Sequence, residues 1–465
     1  TECFSYFCIV KHQCKNNMKK AIAPILAAII ATQFSVAAPP KKWTLSECID
    51  YAMANNITLK QSRLTVRSAN EDIKQSKSEL LPSLGFSTNH SAGYRPWVNS
   101  GISTVTNGTV STSVNKTYYN GSYGISASWT VWNGNQNRNN LKLSKLEAQQ
   151  AVLDSAATAN AIKEQIAQLY IQILYLNEAI NANKQSYEAS QKNEEQGSTM
   201  LELGKMSKAD VAQLSAQTAQ DKYNIVEAES NLAQYKLQLK QLLEITDDVE
   251  FDVAIPTASD IAALGDIPSL NSVYEAALVT RPEIRNSKLA VESSDLNIAV
   301  AKAGHLPTIS MTGNVGTSTT SMNSKDWGKQ IQTNFDASIG ATLSIPIFDN
   351  RSTKTAINKA KIAREQSLLE LQDKQKELYS TIEGYWLDAL TNQQKFKAAR
   401  ISLESEQASY ELLSEQFRLG LKNIAELMTG KANLMKAKQD MLQSKYMTIL
   451  NQQLLKFYKG ETLYF

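Results

Sequence analysis

The sequence predicts an internally duplicated, mainly α protein that also carries membrane β-structure: long helices packed as a coiled-coil bundle, hollow (a barrel) or solid, plus four strands per chain. Three observations lead there. The chain repeats itself, since Trp43-Thr44-Leu45 opens a helical run ending at Leu81-Pro82, and Pro268-Ser269-Leu270 opens one ending at Leu306-Pro307. Very long stretches lack helix breakers. Each Leu-Pro leads into sequence that alternates apolar and small polar residues, as an outer-membrane strand does.

The repeat extends inward. Ala52, Ser62, Leu64 and Val66 fall in register with Ala277, Ser287, Leu289 and Val291, and Leu203-Gly204-Lys205 answers Leu419-Gly420-Leu421. A unit of roughly 220 residues is far longer than a solenoid repeat, so two copies of one architectural part are expected. The first spans 43–245, the second 269–460, and 246–268 links them as an irregular belt.

Met18-Lys19-Lys20 followed by an apolar run from Ala21 to Phe34 and small residues at 35–38 has the form of a signal peptide over 18–37. Residues 1–17 would then be foreign to the natural protein. Export would leave Cys48 alone, without Cys3, Cys8 and Cys14, so no internal disulfide forms and Cys48 is expected as a buried small hydrophobe.

The helices follow in order. Ile162, Ile166, Leu169, Ile173, Leu176 and Ile180 alternate steps of four and three, as do Ile225, Ala228, Leu232, Tyr235, Leu239 and Leu242, and then Leu368, Leu371, Gln375, Leu378, Ile382, Tyr385 and Ala389. Such spacing makes a seam that buries against neighbouring helices. Tyr170, Ile171 and Leu174 lie off the seam and widen the buried face. The stretch 135–203 contains no proline and only Gly197, enough for a helix of roughly 100 Å, and 351–419 matches it. Blocks at 207–245 and 270–303 would together span one long helix, and 423–456 with 44–80 the other. On that arithmetic the first helix of the chain pairs with the last, in a long bundle rather than a compact globule.

Strand patterns lie between the helices. Tyr119, Gly121, Tyr123, Ile125, Ala127, Trp129 and Val131 alternate with small or polar residues; Phe335, Ala337, Ile339, Ala341, Leu343, Ile345 and Ile347 repeat the pattern. Shorter runs precede each, at Leu84, Phe86 and Thr88 and at Ile309, Met311, Gly313 and Val315. The hairpins fall at about 83–133 and 308–348. Half-buried strands of a soluble sandwich are the alternative. Four strands cannot close a barrel, and open edges are forbidden in lipid, so lipid-facing strands demand other copies; three chains would give twelve strands. Ser/Thr/Asn/Gly-rich segments at 95–116 and 317–332 suit exterior loops. Tyr94, Trp97, Tyr118 and Trp129 suit an interface belt, with a core position as the alternative for Trp129.

Composition excludes other classes. Net charge is +3 with 20% charged residues, no nucleic-acid footprint. Mean hydropathy of −0.32 does not fit a multi-helix membrane protein. After the leader only His90 and His305 remain, and no zinc-protease, nucleophile-elbow or phosphate-loop pattern occurs, so neither enzyme activity nor a cofactor is expected.

The order of parts (short helix, strand pair, long helix, reversal at a glycine, short helix, then all again) resembles the TolC-like outer membrane efflux proteins over about residues 43–460. The resemblance implies a homotrimer with a twelve-stranded barrel in outer membrane lipid and a helical tunnel in the periplasm. It also implies docking of the glycine turns on a periplasmic adaptor (membrane fusion) protein, itself joined to an inner-membrane pump. Those turns fall on Leu203, Gly204 and Lys205 and on Leu419, Gly420 and Leu421. The family narrows its tunnel tip with acids, matched by Asp210 and Glu426. Lys422 and Phe417 stand where the family often has a basic residue and a tyrosine that latch the closed state. Thr429 replaces a frequent second acid, which departs from a two-ring acidic gate. Asp210 and Glu426 also suit the first turn of a helix on electrostatic grounds alone. The function so implied is a passive exit duct of a tripartite efflux or type I secretion system; the alternative is an exported structural or adhesive coiled-coil protein of the envelope.

Overall fold

The computed structural model describes residues 42–97, 101–105, 108–112, 116–246, 251–256, 260–323 and 325–464, with the side chains of 101–105, 108–112 and 261 undescribed. The expected leader, Cys3, Cys8 and Cys14 lie outside the described residues. Two units are distinguished. In the small one the Trp43 amide donates to the Asp252 carbonyl at 2.9 Å, and the Trp43 and Phe251 rings lie 6.0 Å apart. Everything below concerns the large one.

It begins with α1 (Leu45–Asn55) and α2 (Ile57–Ser78). One continuous helix is expected over 44–80; the structure breaks it at Asn56, whose ψ of 127 leaves the helical region while its side chain caps the Leu59 amide at 3.1 Å. The second half breaks at the same place, between α6 (Leu270–Thr280) and α7 (Pro282–Ala303). Pro282 opens the new helix and pushes Arg281 into extended geometry, φ −74 and ψ 128. Between the two halves, the described residues include one short helix, α5 (Asp260–Ala263).

The long helices are α3 (Gln136–Glu202) and α9 (Ser352–Arg418), each of 67 residues. Each is entered through two consecutive left-handed residues, Gly134-Asn135 and Asn350-Arg351. The return helices are α4 (Lys208–Leu242) and α10 (Ile424–Lys459). The expected stacking is corrected here. Return helix α4 meets α2 of its own half: the Asn56 side chain donates to the Leu242 carbonyl at 3.0 Å and the Ile57 amide to the Glu244 carboxylate at 3.2 Å. Likewise Arg281, at the start of α7, lies 3.9 Å over the Tyr458 ring near the end of α10. Each long helix thus runs beside the two short ones of its own repeat, and α3 and α9 are bridged by α7 and α10. Lengths alone had suggested pairing across halves and a first-to-last contact.

The predicted seams supply much of the core, the first most fully, while Ile225, Leu232, Tyr235 and Leu242 of the second stay half-buried beside buried Ala228 and Leu239. Ile162, Ile166, Ile173, Leu176 and Ile180 are buried, as are off-seam Tyr170, Ile171 and Leu174; Leu378, Ile382 and Ala389 are buried on α9. Cys48 is wholly buried and the apolar surroundings push its thiol up to about 12. The linker straps three helices: the Tyr170 hydroxyl donates to the Ala254 carbonyl at 2.5 Å, Gln393 donates to the Gly265 carbonyl at 2.9 Å, and Lys445 pairs with Asp260 at 3.1 Å.

Strands β1 (Ser83–Tyr94), β4 (Thr117–Asn133), β5 (Thr308–Thr320) and β6 (Asp336–Ser344) form one antiparallel sheet in the order β1-β4-β5-β6. Leu84, Phe86, Ile125, Met311, Val315, Ile339 and Leu343 share one face and are exposed on it. The other face carries Ser87, Asn89, Ser122, Ser126, Thr312, Asn314, Ser338 and Thr342. An apolar band backed by short polar residues is the pattern of a barrel wall in lipid. Three expectations are corrected. The alternation on β4 fails at a bulge between Thr130 and Trp132, so Trp132 rather than Val131 pairs with Ile309. β6 stops at Ser344, before Pro346, which has no amide to give to a ladder. The 95–116 loop holds a ribbon, β2 (Gly101–Val105) with β3 (Gly108–Thr112), and 317–332 holds the end of β5 and much of α8 (Trp327–Thr333).

Of the belt aromatics, Tyr94 and Trp97 are exposed. Tyr118 falls on the polar face, opposite Gly93 and beneath the Arg95 guanidinium at 4.5 Å. Trp129 is on the apolar face and its indole donates to the Leu80 carbonyl at 2.9 Å. That face instead gathers His90, Tyr119 and Tyr123 towards its far end, with Trp327 edge-on to Tyr123 at 6.3 Å. No helix among the described residues is long and apolar enough to cross a membrane.

Candidate functional site at the two helix reversals

Both long helices end in the same way. Gly204 takes φ +69 and Gly420 φ +73, the left-handed geometry that glycine adopts without a Cβ penalty. The Lys205 amide donates to the Met200 carbonyl at 2.7 Å and the Gly204 amide to Leu201 at 2.9 Å; in the second repeat Leu421 donates to Gln416 at 2.8 Å and Gly420 to Phe417 at 2.9 Å. These paired bonds satisfy the last carbonyls of each helix. Three residues after the glycine each return helix opens with a capping box, Ser207 with Asp210 and Asn423 with Glu426. Leu203, Leu419 and Leu421 are left largely exposed at 65%, 60% and 70%, and Lys205 is exposed beside them. A Cβ at Gly204 or Gly420 would meet nothing within 4 Å.

The candidate gate residues occupy different settings. The Asp210 carboxylate accepts from the Ser207 hydroxyl at 2.8 Å. Glu426 accepts from Lys422 at 2.7 Å, and that ammonium with the Asn423 amide holds its carboxyl below the usual glutamate range. Arg418 pairs with Glu415 on its own helix. Lys422 is therefore partnered within its own hairpin, not with Asp210. Phe417 has no polar atom and is buried at 3% in a cluster with Leu214, Tyr410, Ile424 and Leu427. Leu214 belongs to the first hairpin and the rest to the second, so the cluster joins the two. Thr429 donates to the Ala425 carbonyl at 2.8 Å.

Sequence reading missed several residues. Gly197 on α3 faces Leu214 on α4 so closely that a Cβ would lie 2.4 Å from the leucine methyl; Gly430 on α10 faces Leu413 on α9 in the same way at 2.6 Å. Gly197, alone in its long stretch, was the available signal of close approach. Lys431 and Asp221 form an ion pair between α10 and α4, both side chains 6% exposed, and Lys431 also donates to the Ser190 hydroxyl and to the Ser186 carbonyl on α3. Nothing in either local sequence marks that pair. No group of three His, Cys, Asp or Glu among the described residues is arranged for a metal ion.

With this geometry in place the chain can be set beside known proteins. The model of the outer membrane efflux protein family matches residues 48–244 and again 273–461. The chain belongs to the outer membrane efflux protein family.

The chain is 21% identical over 442 residues to the outer membrane protein TolC of Escherichia coli K12, covering 93% of this chain and 85% of TolC. It is 22% identical over 405 residues to the outer membrane efflux protein BepC of Brucella suis, 87% and 82% of the two chains. Among solved structures, CusC superposes with a TM-score of 0.76 at 17% identity, covering 92% of this chain and 96% of CusC. The Campylobacter jejuni CmeC outer membrane channel follows at 0.73 and 20% identity, 90% and 86% covered. The fold is thus that of the TolC-like channels, with helical tunnel and β-barrel, and the family places the chain in the outer membrane of Gram-negative bacteria as an efflux channel. Its members are channels rather than enzymes.

Proposed function

We propose that this chain is the passive exit duct of a tripartite efflux or type I secretion system, built as a homotrimer. The observation that carries the reading is the sheet: four strands with an apolar exposed face and two outer strands, β1 and β6, that only further strands can close in lipid. Three chains supply twelve strands, with helices continuing into the periplasm. The reversals at Leu203, Gly204 and Lys205 and at Leu419, Gly420 and Leu421 offer an adaptor exposed leucines on a rigid turn, and the adaptor connects them to an inner-membrane pump that provides the energy. Asp210 and Glu426, tripled by the symmetry axis, form carboxylate rings that favour cations at the entrance.

The test exploits the open space around the turn glycines. In Gly204→Val and Gly420→Val the added Cβ has no atom of the chain within 4 Å, so the main internal cost is the left-handed backbone, about 1–2 kcal/mol. Each should abolish export while trimers still accumulate in the membrane, whereas Asn, which tolerates that backbone, should retain more activity. Unchanged export in both valine variants refutes the docking role.

A further inference from the structure

We infer that the tie which keeps the tip closed within one chain is the buried Lys431–Asp221 pair with Ser190 and Ser186, and not the turn residues Lys422 and Phe417. This inference rests on the duct reading and assigns its gate to residues set back from the turn. A tube walled by helical hairpins widens at its end only if the hairpins splay. The contact between the two hairpins of one chain therefore decides how readily that happens. At the turns themselves this contact is apolar: Leu214 sits among Tyr410, Phe417, Ile424 and Leu427. Lys422, the residue suited by position to bridge, is held by Glu426 on its own helix at 2.7 Å.

The polar contact lies eleven residues beyond Gly420, about 16 Å along α10 at 1.5 Å per residue. There the Lys431 ammonium reaches across to both helices of the first hairpin at once. It pairs with Asp221 on α4, donates to the Ser190 hydroxyl on α3, and donates to the Ser186 carbonyl at 2.9 Å. Ser190 donates in turn to Asp221 at 2.7 Å, and Gln217 donates to the other carboxylate oxygen at 2.8 Å. With both side chains 6% exposed, water cannot replace these partners while the hairpins stay together. Splaying must draw an ammonium away from three acceptors in one step, which gives the contact two discrete states. Lys438, donating to Gln185 at 2.5 Å, and Asn193, donating to Tyr410 at 3.4 Å, line the same seam with weaker, uncharged partners.

Single-channel recording in planar lipid bilayers, paired with hydrogen exchange, tests this. Lys431→Met and Asp221→Leu each strand one buried charge and should raise the open fraction about tenfold, with faster exchange confined to segments 199–214 and 413–431. The double variant removes the tie without stranding a charge and should stay more open than wild type, though less so than either single variant. Ser190→Ala leaves no stranded charge and should give a smaller increase, a variant that stays informative if a single charge deletion fails to assemble. Lys184→Met, which removes an exposed pair with Glu229 inside one hairpin, should change nothing. Wild-type closure in both charge variants overturns the tie, as does a double variant whose open fraction is back at the wild-type level, since a stranded charge and not a lost tie would then be the cause. Faster tip exchange without current in any variant, wild type included, overturns the duct and the gating role with it.

Discussion

The two helix reversals have the same backbone and opposite packing. Both use a left-handed glycine, the same two closing hydrogen bonds and a capping box three residues on. Seven residues before the turn, however, the first repeat has Gly197 and the second Leu413; ten residues after it, the first has Leu214 and the second Gly430. Glycine and leucine have exchanged sides. The difference separates two demands that a helical hairpin must meet. The turn needs one residue at positive φ, and no other residue type meets that need as cheaply. The spacing of the helices needs one leucine filling one gap, and either helix can supply it. The halves also differ in reach, since Leu214 is fully buried and joins the cluster of the other hairpin, whereas Leu413 is half-buried.

The sharpest test compares the two leucines. Leu214→Ala should destabilise the tip by about 2–5 kcal/mol, the range for a buried leucine, and Leu413→Ala by clearly less. Exchange-derived opening free energies for the two hairpins measure this, and equal losses would break the asymmetry. Next come the glycines. Gly197→Ala and Gly430→Ala each push a methyl into the facing leucine and should cost roughly 1–3 kcal/mol, partly recovered in Gly197→Ala/Leu214→Ala and Gly430→Ala/Leu413→Ala. Thermal unfolding of the four variants reads the recovery; no recovery in either pair means the leucines are not the opposing surface.

The smallest effect concerns charge. The folded-state carboxyl of Glu426 titrates below its ordinary value, so the Lys422–Glu426 link is fully present above about pH 4.3 and is lost as pH falls through the depressed value. Lys422→Gln should move the Glu426 titration, followed by carboxyl NMR, up towards that ordinary value. An unmoved titration would leave the Asn423 amide as its cause.

What the sequence disclosed follows a physical division. The long helices, the buried seam from Ile162 to Ile180 and the two turn glycines are local patterns, and they were readable. So was the two-residue alternation of Ile125, Ala127 and Trp129, up to the bulge at Thr130. The break at Pro282 carried a plain signal that a length-based reading passed over. Its counterpart at Asn56 did not, because an asparagine cap looks like any polar helix residue until its neighbours are placed. Stacking order was misread because helix lengths add up equally well across halves and within them; only tertiary contacts such as Asn56 to Leu242 and Arg281 to Tyr458 decide. Lys431 and Asp221 stand 210 positions apart, and each looks like one more solvated charge on a helix. The roles of Asp210 and Glu426 are in the same position: their capping boxes explain the residue types without any pore.

The polar face of the sheet has one further consequence. Across β1, β4, β5 and β6 the only acidic or basic side chain apart from His90 is Asp336, at the start of β6. In the proposed trimer this face is the inward wall, paved with hydroxyls, amides and bare backbone, a hydrated glaze rather than an ion exchanger. A solute sliding along it would trade one set of weak hydrogen bonds for another and meet charge only towards the far end, at Asp336 and at Arg95 over the Tyr118 ring. Such a surface would sort by girth, and on the proposed duct reading any sorting by charge falls to the carboxylates at the other end of the molecule.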